Sequence, residues 1–172
     1  MMYGFLFVGF CLVIASYVDY KERRIPNLIS LVLLLTGFGF NASMSGMEGF
    51  WFSLQGFVSG FGLFFIFYYL NTMGAGDVKL FAAVGSWVGW IGAIQMFLWT
   101  AVIGLLIAVV YLMKERKLRI YLRSVWFSIV NFLCFRKFDI GVKPDKKTHI
   151  RIPYAIPITL GYLAYIQFGG LL

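Results

Sequence analysis

Charged residues divide this chain into five long apolar stretches. Met1–Val18, Leu28–Met47, Gly49–Gly76, Leu80–Met113 and Ile152–Leu172 contain no Asp, Glu, Lys or Arg. A helix that crosses a bilayer needs about 20 consecutive apolar residues, so each stretch predicts at least one span. The fourth is 34 residues long. At about 1.5 Å per residue it would reach about 51 Å, against a hydrocarbon core of about 30 Å. It therefore predicts two spans joined by a turn near Trp90–Ala93, with Gly89 and Gly92 supplying the backbone freedom. The expected fold is an all-α membrane protein, one integral-membrane domain over residues 1–172. Its six transmembrane helices cover about 1–18, 28–47, 50–70, 76–92, 93–113 and 152–172.

Positive charge tests that count and orients it. Lys and Arg collect in cytoplasmic loops close to span ends. With six spans, Lys21, Arg23 and Arg24 fall in the first loop, Lys79 before span four, and the other eleven between spans five and six. All fifteen basic residues then share one side, and only Glu48 faces the other. A single span over Leu80–Met113 would set the eleven-charge loop opposite the first loop. The pattern predicts both termini outside. Met1–Val18 is not expected to be a cleaved signal peptide, because its charge follows the apolar run. Within the cytoplasmic loop 114–151, Leu118, Leu122, Val125, Ile129 and Phe132 recur at helical spacing among basic residues. They predict a basic amphipathic helix on the inner leaflet, with a loop over Phe138–Arg151.

Composition narrows the class further. The chain is 61% hydrophobic and 13% charged, where soluble domains carry about 25% charged residues. That excludes a water-soluble globule and a disordered chain, and two cysteines exclude a disulfide scaffold. The net charge of +8 does not indicate nucleic acid, since it is not spread over a water-exposed face. The lipid bilayer is the expected surrounding.

Charges at membrane depth are costly and mark candidate functional sites. Asp19 falls at the inner end of span one and Asp77 at the inner start of span four, 58 positions apart in sequence but at one depth. Two such acids suit acid–base hydrolysis: an ionised carboxylate activates water while a protonated one donates to the carbonyl. Taken singly, either Asp is equally well read as a helix cap or a headgroup-facing residue. Gly74 and Gly76, just before Asp77, permit an irregular backbone and the close approach of another chain, room that a peptide unwound for cleavage needs.

These residues resemble a family. Asp19-Tyr20-Lys21-Glu22-Arg23-Arg24-Ile25-Pro26-Asn27 looks like the first-aspartate motif of type IV prepilin peptidases, and Gly74-Ala75-Gly76-Asp77-Val78-Lys79-Leu80 looks like their GxGD motif. Ile152-Pro153-Tyr154-Ala155-Ile156-Pro157 resembles the proline-containing start of their last span. The likeness covers essentially the whole chain. It implies an aspartyl endopeptidase of the bacterial inner membrane or the archaeal cell membrane. Such enzymes remove the basic leader of pilin-like precursors, which pair that leader with a hydrophobic helix, at the cytoplasmic face. By this likeness Asp19 and Asp77 are the catalytic pair, Gly74 and Gly76 shape the site, and Pro26 and Asn27 start span two and fix where Asp19 points. Larger members carry a zinc-binding domain after span one and also N-methylate the pilin. Here only nine residues, Asp19–Asn27, separate the first two spans. The chain resembles the short, peptidase-only branch of tight-adherence (Flp) pilus or archaeal preflagellin systems, so N-methylation is not expected. No metal or cofactor is expected either.

Other features have plainer readings. Lys79 either leans toward the site or snorkels to headgroups, and snorkelling is favoured. His149 reads as a solvated loop residue, and Cys11 and Cys134 as inert. Gly56-x-x-x-Gly60 and Gly85-x-x-x-Gly89 fit close helix packing, within one chain or between copies of a homo-oligomer. Two other functions compete: a small proton-coupled transporter with paired Asp residues, and a non-catalytic secretion-assembly subunit. A transporter would usually place its acids near the midplane and show repeat symmetry.

Overall fold

The computed structural model describes residues 2–70, 73–114 and 154–168, all helix apart from short connections. The helices are α1 (Met2–Glu22), α2 (Asn27–Tyr69), α3 (Ala75–Lys114) and α4 (Ala155–Phe168). The first three are long and apolar enough to cross a membrane, and α4 is a shorter apolar helix. The amphipathic segment expected within 114–151, the loop before Arg151, Cys134 and His149 lie outside the described residues, as do Ile152 and Pro153. The chain forms two compact units. Residues 1–104 with 153–172 hold the core; of residues 105–152, the described part is the end of α3.

Helices α2 and α3 each fold back on themselves. Gly46 (φ 59°, ψ −131°) and Gly89 (φ 72°, ψ −178°) leave helical geometry inside them, in regions of backbone space that are costly for any residue with a Cβ. Beyond Gly46 the Ser53 hydroxyl donates to the Gly37 carbonyl at 3.3 Å, sixteen residues back. In a straight helix those groups would stand about 24 Å apart. Beyond Gly89, the rings of Phe81 and Phe97 lie 6.5 Å apart, again sixteen residues along. The described chain is thus a set of six helical rods, 2–22, 27–45, 47–69, 75–88, 90–114 and 155–168. The turn expected near Trp90–Ala93 falls at Gly89, and the break in α2 comes two residues before Glu48.

The rod 75–88 is the centre. Val78, Leu80 to Ser86 and Val88 are all buried, as befits a helix that is apolar all round. Around it, Phe64 stacks on Phe81 with ring centroids 4.0 Å apart, and Phe97 meets both edge-on. A Cβ on Gly56 would run into the Gly85 carbonyl, and one on Gly60 would lie 3.2 Å from the Phe81 carbonyl oxygen. The small-residue stripes therefore pack within the chain. Near the two glycine turns, Asn41 donates to Ser53 Oγ (2.9 Å) and to the Ser86 carbonyl (3.0 Å), and Trp87 Nε1 donates to the Leu33 carbonyl (2.8 Å). Among the described residues of the larger unit the surface is apolar, with Leu6, Phe10, Tyr17, Leu35 and Val58 all exposed. An apolar surface this extensive belongs in lipid.

Candidate active site

Asp19 continues a buried stripe on α1. Val8, Leu12 and Ala15 are fully buried at helical spacing, and Asp19 comes next on the same face, 6% exposed. Asp77 enters at the third residue of α3 and is 7% exposed. The start of α3 lies against the connection that follows α1, a Cβ on Gly76 falling 3.2 Å from Ile25 Cβ and Lys79 Nζ donating to Asn27 Oδ1, so the two acids belong to one end of the bundle. Fifty-eight positions of sequence are closed by the fold.

Each acid is tethered by the start of a helix. The first N–H groups of a helix have no partner within it. Gly74 N–H donates to Asp77 Oδ2 at 2.9 Å, the backward bond of a capping box. Ala155 N–H, at the first residue of α4, donates to Asp19 Oδ2 at 3.2 Å. Both acids thus cap helices, Asp77 its own and Asp19 a different one. Capping does not preclude the chemical reading, because among the described residues the bond to each acid runs through Oδ2.

The remaining expected residues surround this pair. A Cβ on Gly74 would stand 3.3 Å from Asp77 Oδ2, and one on Gly76 would stand 3.2 Å from Ile25 Cβ. Glycine at 76 lets α3 begin directly against the α1–α2 connection. That connection is tight: Arg23 takes a left-handed conformation (φ 54°) and its N–H donates to the Asp19 carbonyl at 2.8 Å. Pro26 precedes the first residue of α2, Asn27, whose Oδ1 accepts from Lys79 Nζ at 3.1 Å. Lys79 thus ties the start of α3 to the start of α2. Among the described residues, no group of three His, Cys, Asp or Glu could hold a metal.

Reasoning from sequence missed the part played by α4. Besides Ala155, half-buried Tyr154 lies within electrostatic reach of Asp77. Ser16 and Thr159 meet by hydroxyl–hydroxyl contact at 2.6 Å one turn away from Asp19. Ser16 and Thr159, the one Ser or Thr residue in each of α1 and α4, were the available signal.

Fold and site define a class: an all-helical membrane protein that buries a pair of carboxylates at the ends of two helices. The chain matches the type IV leader peptidase family over residues 6–109, and it belongs to that family. It is similar to the prepilin leader peptidase/N-methyltransferase of Escherichia coli K12, 35% identical over 95 residues, covering 51% of this chain and 42% of that protein. The protein of the same name from Pectobacterium carotovorum is 29% identical over 136 residues, covering 74% and 49% respectively. That from Legionella pneumophila is 31% identical over 109 residues, covering 60% and 38%. The chain thus spans about half the length, or less, of the curated relatives it matches. No solved structure matches it. Neither the family nor these relatives support the transporter or assembly-subunit readings.

Proposed function

We propose that this chain is an aspartyl endopeptidase that removes the basic leader from type IV pilin-like precursors at the cytoplasmic face of the membrane. The observation that carries the reading is the pairing of Asp19 and Asp77, each buried and each held through Oδ2, in a chain of the leader peptidase family. One carboxylate, ionised, takes a proton from water as the oxygen attacks the scissile carbonyl carbon. The other, protonated, donates to the carbonyl oxygen. Collapse of the tetrahedral intermediate re-forms the carbonyl, returning its proton to the second carboxylate, and expels the amine, which takes up the proton gained by the base. The pair ends with one proton, as it began.

The remaining elements fit this role. Six rods, read as six spans, set all fifteen basic residues on the cytoplasmic side, with both termini outside. The rod 75–88 is about 21 Å long, against a core of about 30 Å, so it cannot reach both faces, and on this reading Asp77 at its start lies within reach of water from the cytoplasmic side. Gly74 and Gly76 leave space for an unwound peptide. Helix α1 ends at Glu22 and α2 begins at Asn27, so no domain separates them, and cleavage without N-methylation is the activity proposed.

The test is cleavage of a pilin precursor in membranes, read on a gel. Asp→Asn keeps size but removes both the base and the acidic proton. Asp19→Asn and Asp77→Asn are each expected to abolish cleavage while the protein stays in the membrane, with the double variant no worse than either single one. Near-normal cleavage by either variant would refute the mechanism.

A further inference from the structure

Helices α1 and α4 run antiparallel and are joined by side-chain hydroxyls. The Ser16 hydroxyl meets Thr159 Oγ1 at 2.6 Å and also lies 3.0 Å from the Ala155 carbonyl oxygen. Thr159 Oγ1 is 2.8 Å from that same carbonyl oxygen and 3.2 Å from the Leu12 carbonyl oxygen. Deeper along the pair, the Tyr162 hydroxyl donates to the Phe5 carbonyl at 2.9 Å. Ala155 is therefore held at both its polar groups: its carbonyl by the hydroxyl-bonded Ser16–Thr159 pair, its N–H by Asp19 Oδ2. Ser16 precedes Asp19 by three residues and Thr159 follows Ala155 by four, so each hydroxyl shares a helix face with the group it steadies.

We propose that Ser16 and Thr159 form a positioning clasp, which locks the register of α4 on α1 so that Ala155 N–H meets Asp19 and holds its carboxylate in the productive orientation. The proposal rests on the catalytic reading of Asp19. Neither hydroxyl touches substrate in it. Hydrogen bonds between membrane helices contribute little net stability, whereas a small displacement of a catalytic group is costly in rate. The clasp should therefore be felt in turnover more than in folding.

The test compares Thr159→Val, Thr159→Ser, Ser16→Ala, the Ser16→Ala/Thr159→Val double variant and Asp19→Asn in the full chain, with a pilin precursor as substrate. Thr159→Val and Ser16→Ala are each expected to lower kcat about tenfold with KM within about twofold. Thr159→Ser, which keeps the hydroxyl, stays within about twofold of the parent, and the double variant is no worse than the poorer single one. A second readout needs no substrate: labelling of Asp19 by a hydrophobic carbodiimide, followed by mass spectrometry. Labelling is expected to rise about threefold or more in Thr159→Val and Ser16→Ala, because the carboxyl is released from its tether, and not in Thr159→Ser. Unchanged kcat and labelling in Thr159→Val would overturn the clasp, as would equal losses in Thr159→Ser and Thr159→Val. If Asp19→Asn cleaves normally, the proposed function fails as well. If Asp19→Asn is dead and Thr159→Val normal, only the clasp fails.

Discussion

Gly56→Ala places one methyl group where the fold leaves no room. The new Cβ would overlap the Gly85 carbonyl oxygen and lie 2.8 Å from Gly89 Cα and 2.9 Å from the Gly85 carbonyl carbon. Carbon atoms pack best at about 3.5–4.0 Å, and all these neighbours are backbone, which no rotamer change can move. Relief requires the rods 47–69 and 75–88 to part by roughly 1 Å, enough to forfeit a quarter to a half of each contact across the gap. The contact at Gly60, one turn on, where an added Cβ would stand only 3.3 Å from Ala82 Cα, opens with it. Overpacking costs about 1–3 kcal/mol, and with rigid neighbours Gly56→Ala belongs at the upper end, about 3 kcal/mol. For a chain of this size that is a fall in Tm of about 6–12 °C, measured by thermal unfolding in micelles. The control is Gly62→Ala on the same rod, where a Cβ meets nothing within 4 Å. It should be neutral or up to about 1 kcal/mol stabilising, since alanine is the better helix former. A Gly56→Ala protein as stable as Gly62→Ala would refute the reasoning.

The other predictions concern the turns, the orientation and the product. Gly89→Ala puts a Cβ at φ 72° and ψ −178°, so it should cost about 2–3 kcal/mol in the same unfolding assay; the contact with the Phe52 ring is relieved by rotation and adds little. Reporters fused beside Glu48 and after Leu172 should both read as external, and a cytoplasmic readout at Leu172 would remove one crossing. The cleaved pilin should carry a free N-terminal amine, and mass spectrometry revealing an enzyme-dependent gain of one methyl group would overturn that expectation.

Local features of the chain were legible where local physics decides them. Asp19 stood out as a charge at membrane depth, and it lies on the buried face of α1 with Val8, Leu12 and Ala15, although Leu6, Phe10, Val13 and Tyr17 repeat at the same spacing and are exposed. The 34-residue uncharged run is too long for one straight rod, and α3 folds back within it at Gly89. The turn lies at the edge of the expected window because it needs a left-handed residue, which centring on the apolar run does not reveal. Gly56 and Gly85 each announced a close contact, but pattern alone could not say that they meet each other rather than a second copy. The Asp19–Ala155 bond spans 136 positions. Nothing in either segment specifies the other, and only the assembled helices bring an unpaired N–H to that carboxylate.

The two acids are set in place by different physics. In lipid, burial of apolar surface gives no drive for one helix to choose another, so fit and hydrogen bonds must do so. Asp77 sits eight residues before Gly85 on the central rod, about 12 Å along its axis. The glycine contact with Gly56 therefore fixes how far that rod slides, and with it the depth of Asp77. Asp19 owes its setting to hydroxyl bonds between α1 and α4. A loose glycine contact and a broken hydroxyl clasp should thus both separate the carboxylates, one by moving Asp77 along its helix axis and the other by releasing Asp19 to turn. Gly56→Ala should lose stability and turnover together, and Thr159→Val should lose turnover alone.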